Sequence, residues 1–272
     1  LSAGVEGEAS QVRAELTFAR LMAGGAPLSR SLLLLLLLSH GWLWAFGWWS
    51  GVGGEGALLF GAKINGLVAA GQWWRLVSAL FLHGGALHLG LNGYALWMLG
   101  PLLERFYGSR RFVVLYLGSG LGAGLGSYLW TPGASVGASG AVFGLLGALM
   151  VFGWRARGRL PARVSRAFGV GLAPWVVVNL VIGLLPGLPI DNAAHLGGLG
   201  SGLALGAALS SRLERSSGWL SGLVVELCFA LGLLSVSASG VLVVREALLC
   251  GASAARLGAC YGGSLGDALG GR

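Results

Sequence analysis

A serine set between glycines, Gly137-Ala138-Ser139-Gly140, opens an apolar run that continues Ala141-Val142-Phe143-Gly144. A second apolar run, Asn192-Ala193-Ala194-His195-Leu196-Gly197-Gly198, opens with a histidine. A free hydroxyl is a weak nucleophile at neutral pH, and an adjacent imidazole supplies the general base that activates it. If the two runs pack side by side, Ser139 and His195 meet and acyl transfer becomes possible. Upstream, His83, His88 and Asn92 lie in one apolar stretch. His88 and Asn92 are four residues apart and share a helix face. His83 falls on a different face, near the outer end of the same segment. The His88/Asn92 face can donate to a developing oxyanion, with the Ser139 backbone N–H as a further donor. Each piece also has a plainer reading. Gly-Ala-Ser-Gly suits close packing of membrane helices through small residues, and the upstream trio suits an interhelical network worth roughly 0.6–2 kcal/mol per bond.

The composition says what must carry these groups. The chain of 272 residues is 55% hydrophobic and only 10% charged, against about 25% charged in an average soluble protein. It holds 51 glycines, too many for ordinary helices but useful where membrane helices meet backbone to backbone. The expected class is an all-α polytopic membrane protein. The net charge of +8 does not point to nucleic acid, because the basic residues lie between hydrophobic segments and form no single surface.

Seven spans are expected, at about 31–50, 76–103, 112–129, 139–154, 168–185, 192–210 and 220–244. Each of the longer ones meets the roughly 20 residues that a bilayer core requires. The run from Ser31 starts late for a signal peptide and lacks a small-residue cleavage pattern after it, so it reads as a retained helix. The fourth is short, roughly 24 Å at 1.5 Å per residue, and follows an uncharged Gly/Pro stretch at 130–137. Such a loop is expected to dip into the membrane, where irregular backbone is tolerated against protein or a watery cavity. The first 30 residues are polar, with Leu16, Phe18 and Leu21 as the apolar points of an amphipathic helix. Residues 51–74 make a long Gly-rich connection, functional or disordered by length, and Trp48, Trp49, Trp73 and Trp74 suit an interface.

Alternate loops divide the basic residues unevenly. Thirteen arginines, among them Arg105, Arg110, Arg155 and Arg212, fall on the side of the N-terminus, and five basic residues on the other. The positive-inside rule then predicts the N-terminus in the cytoplasm and the C-terminus outside. Ser139 and His195 would lie at similar depth, near the outer face.

These residues together resemble the rhomboid family of intramembrane serine proteases. The resemblance rests on Gln72-Trp73-Trp74-Arg75, His83 with His88 and Asn92, Gly100-x3-Glu104-x3-Gly108, Gly137-x-Ser139-Gly140, and Ala194-His195-x2-Gly198-x3-Gly202. They stand in the family's order over roughly residues 30–210. The resemblance implies a six-helix core with a Ser139/His195 dyad and an oxyanion site of His88, Asn92 and the Ser139 amide. It further implies cleavage of transmembrane protein substrates near their outer ends, often beside small residues. The expected location is a bacterial cytoplasmic membrane. No metal or cofactor is implied, and no zinc-type Cys/His spacing occurs. Some members carry a Tyr one turn after the serine, stacked on the histidine; here Phe143 stands there and can stack without a hydroxyl.

The division expected is a cytoplasmic segment 1–30, a catalytic core 31–210, a linker with an added transmembrane helix 211–245, and a Gly-rich extracytoplasmic tail 246–272. Around the dyad, His83, Gly137, Gly198, Gly202, Phe143, Arg75 and Glu104 are expected to give structural support. Gly198 and Gly202 let the sixth span approach the fourth. Glu104 serves nearby loop amides, and Arg75 anchors the first loop at the headgroups. His40 is expected to bond between helices and Glu226 to snorkel or pair with Arg212 or Arg215. Cys228 is expected to be a buried inert thiol, and Cys250 and Cys260 could pair if the tail meets an oxidising compartment. Two other functions compete: a non-catalytic binder of transmembrane helices, and a transporter. Transporters usually carry internal repeats and midplane sites, and no repeat is visible.

Overall fold

The computed structural model describes residues 2–50, 56–214 and 219–250. The described chain is helical, with α1 (Ser2–Met22), α2 (Pro27–Ser50), α3 (Gly56–Leu59), α4 (Asn65–Ala69), α5 (Arg75–Ser78), α6 (Ala86–Tyr107) and α7 (Ser109–Trp130). It continues with α8 (Ser139–Arg155), α9 (Ala162–Phe168), α10 (Ala173–Ile182), α11 (Asn192–Ala208) and α12 (Trp219–Cys250). Among the described residues, strand-like pairing is confined to one antiparallel bridge between Lys63 and Ser135.

Among the described residues, three segments are long and apolar enough to cross a membrane: Pro27–Trp48, Ser109–Trp130 and Val225–Leu242. A fourth arises if α9 and the segment Val170–Ile182, bent by 44°, form one broken span. The outer surface is apolar, with Trp48 at 81% and Leu87 at 77% exposure. Water would not tolerate so much exposed hydrocarbon on a folded monomer; lipid does. The protein is an integral, multi-pass, all-α membrane protein.

The interior is organised on α8, which is only 17 residues long. Its buried face carries Ala141, Phe143, Leu145, Ala148, Leu149 and Phe152. Phe106 of α6 stacks on Phe152 with centroids 4.2 Å apart, and Leu96, Leu103, Phe112 and Leu115 complete the core. On its other face α8 meets α11 through glycine. A Cβ on Gly198 would stand 1.9 Å from the Gly140 carbonyl oxygen, and one on Gly202 1.9 Å from that of Gly144. The opposite face of α11 meets α7 as closely, since a Cβ on Gly197 would lie 2.5 Å from the Gly122 oxygen.

Several expectations need correction. The span expected over 76–103 is broken: α5 passes into a 3-10 turn (Ala79–Phe81), Leu82 is extended, and α6 begins only at Ala86. Gly84 and Gly85 sit in the break, and paired glycines favour leaving the helix because they lose most backbone entropy in it. His83 is therefore not on the helix of His88 and Asn92. The span expected over 168–185 is a short α10 of ten residues preceded by the separate α9; Pro174 is tolerated because it falls in the first turn of α10. Of the long first connection, residues 56–74 are ordered, with Leu59, Phe60, Ile64 and Leu67 forming a small core with Leu43 and Leu82. In α1, Leu21 is buried and Phe18 packs against the main core, whereas Leu16 faces outward. The helix α12 runs to Cys250, past the expected boundary at 245. Cys228 on it is exposed rather than buried, because its helix is covered by the protein on a minor face only. Cys260 and most of the tail lie outside the described residues.

Candidate active site

Ser139 is the first residue of α8, following Ala138, which offers no side-chain cap. The first backbone N–H groups of a helix lack intrahelical partners, so those of Ser139 and Gly140 stand beside the hydroxyl. The chain enters this helix through Gly137, whose φ of +127° is unfavourable for any side chain. A Cβ there would also come within 2.7 Å of His88 Cε1. Gly137 thus allows both the turn and the close approach of the His88 ring. Its amide donates to the Ala79 carbonyl at 2.9 Å, which ties the turn to the break before α6.

His195 is the fourth residue of α11 and is 7% exposed. Its Nε2 lies 3.0 Å from Ser139 Oγ. Phe143, one turn beyond Ser139, lies flat on the imidazole with centroids 4.1 Å apart and planes 8° apart. No described residue bonds His195 Nδ1. Asp191, four residues earlier, does not fill that place: its carboxylate caps α11 by accepting from Ala194 N at 3.0 Å and from Thr131 Oγ1 at 2.7 Å, with Ser127 Oγ as a third donor. Among the described residues, no carboxylate stands behind the imidazole that faces Ser139.

His88 and Asn92 lie on α6, with Asn92 buried and its Nδ2 donating to the His88 carbonyl at 2.9 Å. One amide hydrogen of Asn92 remains for another acceptor. The His83 ring meets that of His88 at 5.2 Å, edge to face. His83 is buried, and neither of its nitrogens is bonded among the described residues. His40 was expected to bond between helices, yet its buried Nδ1 has no partner among the described residues.

Glu104 and Arg75 each sit in a bonding network of their own. Glu104 is fully buried and accepts from Leu28 N at 3.0 Å, Ser29 N at 2.8 Å and Ser109 Oγ at 2.7 Å. It thereby fixes the start of α2 against the α6–α7 turn. Arg75 corrects the expectation of a headgroup anchor. It is fully buried, donating to Gln72 Oε1 at 2.6 Å and to the carbonyls of Leu58 at 2.8 Å and Ala62 at 3.0 Å, with its guanidinium over the Trp74 ring. It holds the first loop from inside. Glu226 pairs with Arg110 rather than with Arg212; Arg215 lies outside the described residues.

Sequence reasoning missed Asp191, Ser127, Thr131 and Lys63. Asp191 was detectable as an Asp immediately before an apolar helical run, the usual sign of an N-cap. Lys63 is the sole lysine of the sequence and is 1% exposed, but nothing in its neighbours signals burial.

A short central helix that opens on a serine, and a glycine-lined helix that lays a histidine on it, bring the two side chains together in an all-α membrane fold. Residues 70–212 match the model of the Rhomboid domain, more than half of the chain, and the chain belongs to the rhomboid family. It is 41% identical over 155 residues to "Rhomboid protease GluP" of Bacillus subtilis (strain 168), covering 57% of this chain and 30% of that protein. It is 38% identical over 151 residues to "Rhomboid-type serine protease 2" of Emericella nidulans, covering 54% and 29%. With "Putative rhomboid protease YdcA" of Bacillus subtilis it shares 35% identity over 150 residues, covering 54% and 73%. The chain spans about a third of the length of the first two.

Proposed function

We propose that this protein is an intramembrane serine endopeptidase that hydrolyses peptide bonds of transmembrane proteins near the outer membrane face. The observation that carries the reading is the 3.0 Å approach of His195 Nε2 to Ser139 Oγ, within the reach expected of a nucleophile and its base. Names of the relatives, "Rhomboid protease GluP" and "Rhomboid-type serine protease 2", support it.

Ser139 Oγ attacks the scissile carbonyl while His195 Nε2 takes its proton, then returns it to the leaving amine. Water attacks the acyl-enzyme with the same base and frees Ser139. The tetrahedral oxyanion is held by the Ser139 amide, at the positive end of α8, and by donors on His88 and Asn92. Gly137 admits His88 to that position. Gly198 and Gly202 hold α11 on α8, Phe143 holds the imidazole plane, and His83, Arg75 and Glu104 support the surrounding loops. The catalytic core spans 31–210, with 1–30 cytoplasmic, 211–250 a linker and added transmembrane helix that ends with α12, and the tail beyond it extracytoplasmic. Thirteen arginines on one set of loops support this orientation in a bacterial cytoplasmic membrane.

The test is cleavage of a single-span substrate in liposomes. Ser139→Ala and His195→Ala are expected to abolish it, and a fluorophosphonate to label wild type at Ser139 alone. Cleavage by Ser139→Ala at the wild-type rate would refute the mechanism. Substrate capture without any cleavage by wild type would point instead to a non-catalytic binder of transmembrane helices.

A further inference from the structure

The last turn of α7, Ser127 to Thr131, is bonded on two sides by groups that lead to the two halves of the dyad. On one side stands Lys63. Its Nζ donates to the carbonyls of Thr131 at 2.8 Å, Gly133 at 2.9 Å and Ser127 at 3.3 Å, and to Asn65 Oδ1 at 2.9 Å. Carbonyls at the end of a helix have no intrahelical donor and carry the negative end of its dipole, so an ammonium there is well placed. Three N–H bonds serve four oxygens, and Ser127 is the longest of them. Asn65 adds a bond to the Tyr128 carbonyl at 3.0 Å. The backbone of Lys63 meanwhile pairs with Ser135, 3.0 Å in each direction, on the stretch that leads through Gly137 into Ser139.

On the other side stands Asp191. The side chains of Ser127 and Thr131, whose carbonyls face Lys63, give their hydroxyls to the Asp191 carboxylate. That carboxylate caps α11 through Ala194 N, and the Asp191 carbonyl accepts from His195 N at 3.1 Å. The same two residues therefore register the approach to Ser139 through their carbonyls and the approach to His195 through their hydroxyls.

We infer that the Ser127–Thr131 turn is a shared frame that sets Ser139 against His195, with Lys63 and Asp191 as positioning residues on either side of it. This rests on the reading of Ser139 and His195 as the reacting pair. Neither positioning residue touches substrate. Each acts by fixing where a dyad helix begins, and a misplacement on the order of 1 Å at a reacting centre can cost about 10²-fold in rate.

The experiment is hydrogen–deuterium exchange on the full-length protein in lipid nanodiscs, read together with the rate of Ser139 labelling by a fluorophosphonate. The reporters are the amides of Ser135 and Gly137 on one side and of Ala194 and His195 on the other. Lys63→Met keeps the stem and removes the donors. Asp191→Ala removes the cap, while Asp191→Asn keeps an oxygen acceptor and is an equally good N-cap. A shared frame requires a crossed effect. Lys63→Met accelerates exchange at Ala194 and His195 as well as at Ser135, Asp191→Ala accelerates it at Gly137, and both slow labelling by roughly 10²-fold. Asp191→Asn restores both readouts. The milder Thr131→Val, which removes one shared hydroxyl and no charge, shows the same crossed pattern if either larger change prevents folding. Exchange confined to the mutated side, or labelling at the wild-type rate in Lys63→Met and Asp191→Ala, overturns the frame. The exchange readout does not depend on catalysis, so its failure is distinct from a failure of wild type to be labelled, which overturns the dyad itself.

Discussion

Phe143 lies flat against His195, with planes 8° apart. It occupies the i+4 position from Ser139 on α8, so the helix that supplies the hydroxyl also supplies the wall behind the imidazole. No described residue holds His195 Nδ1. The ring is oriented by this face contact and by the Ser139 hydroxyl. Phe143→Ala is expected to slow single-turnover cleavage by roughly tenfold to 100-fold through loss of imidazole orientation, while Phe143→Tyr stays near wild type. Equal rates in Phe143→Ala and wild type would show that the stacking is incidental.

Gly198→Ala should separate the pair. The added methyl carbon meets the Gly140 carbonyl oxygen at 1.9 Å, a backbone atom that cannot rotate away, so α11 must move off α8. Overpacking of this kind costs about 1–3 kcal/mol. Thermal unfolding in detergent should fall accordingly, and fluorophosphonate labelling should fall further than the loss of folded protein accounts for.

Gly137→Ala should act on the oxyanion side. The backbone conformation at φ +127° costs a side-chain-bearing residue about 1–3 kcal/mol, and the new methyl presses on the His88 ring. Turnover should fall with little change in KM, since the interaction lost is one made to the transition state. A rise in KM at constant turnover would place His88 in substrate binding instead.

Glu104→Gln should lower stability and leave the chemistry alone. The carboxylate accepts from two amides and one hydroxyl while fully buried, and weakening such a set costs about 1–3 kcal/mol. Cleavage per folded molecule should stay at the wild-type rate. A selective loss of turnover would tie this distant end of the bundle to the site.

The parts of the site that were legible in the sequence are those fixed by helical spacing. Ser139 opens its helix where the Gly/Pro stretch ends, His195 falls in the first turn of the next glycine-rich apolar run, and Phe143 lies one turn from the serine. Glycines in an apolar run told of close packing before any contact was seen. The rest depended on the way distant segments meet. Hydropathy runs smoothly through Leu76–Leu103 because His83 and the glycine pair beside it leave the mean apolar value high, so the break before α6 is invisible to it. Arg75 reads as a surface residue by charge alone, and its carbonyl partners come from a loop whose fold its own sequence does not announce. Glu226 meets Arg110 because of the rotation of α12 against α7, which spacing within α12 cannot reveal.

The contacts that flank α11 are main chain on main chain. Gly198 and Gly202 face the carbonyls of Gly140 and Gly144, while Gly197 faces that of Gly122. The closest approach of α11 to α8 is consequently limited by the van der Waals radius of the peptide unit. A methyl group added at Gly198 or Gly202 meets backbone that cannot rotate away.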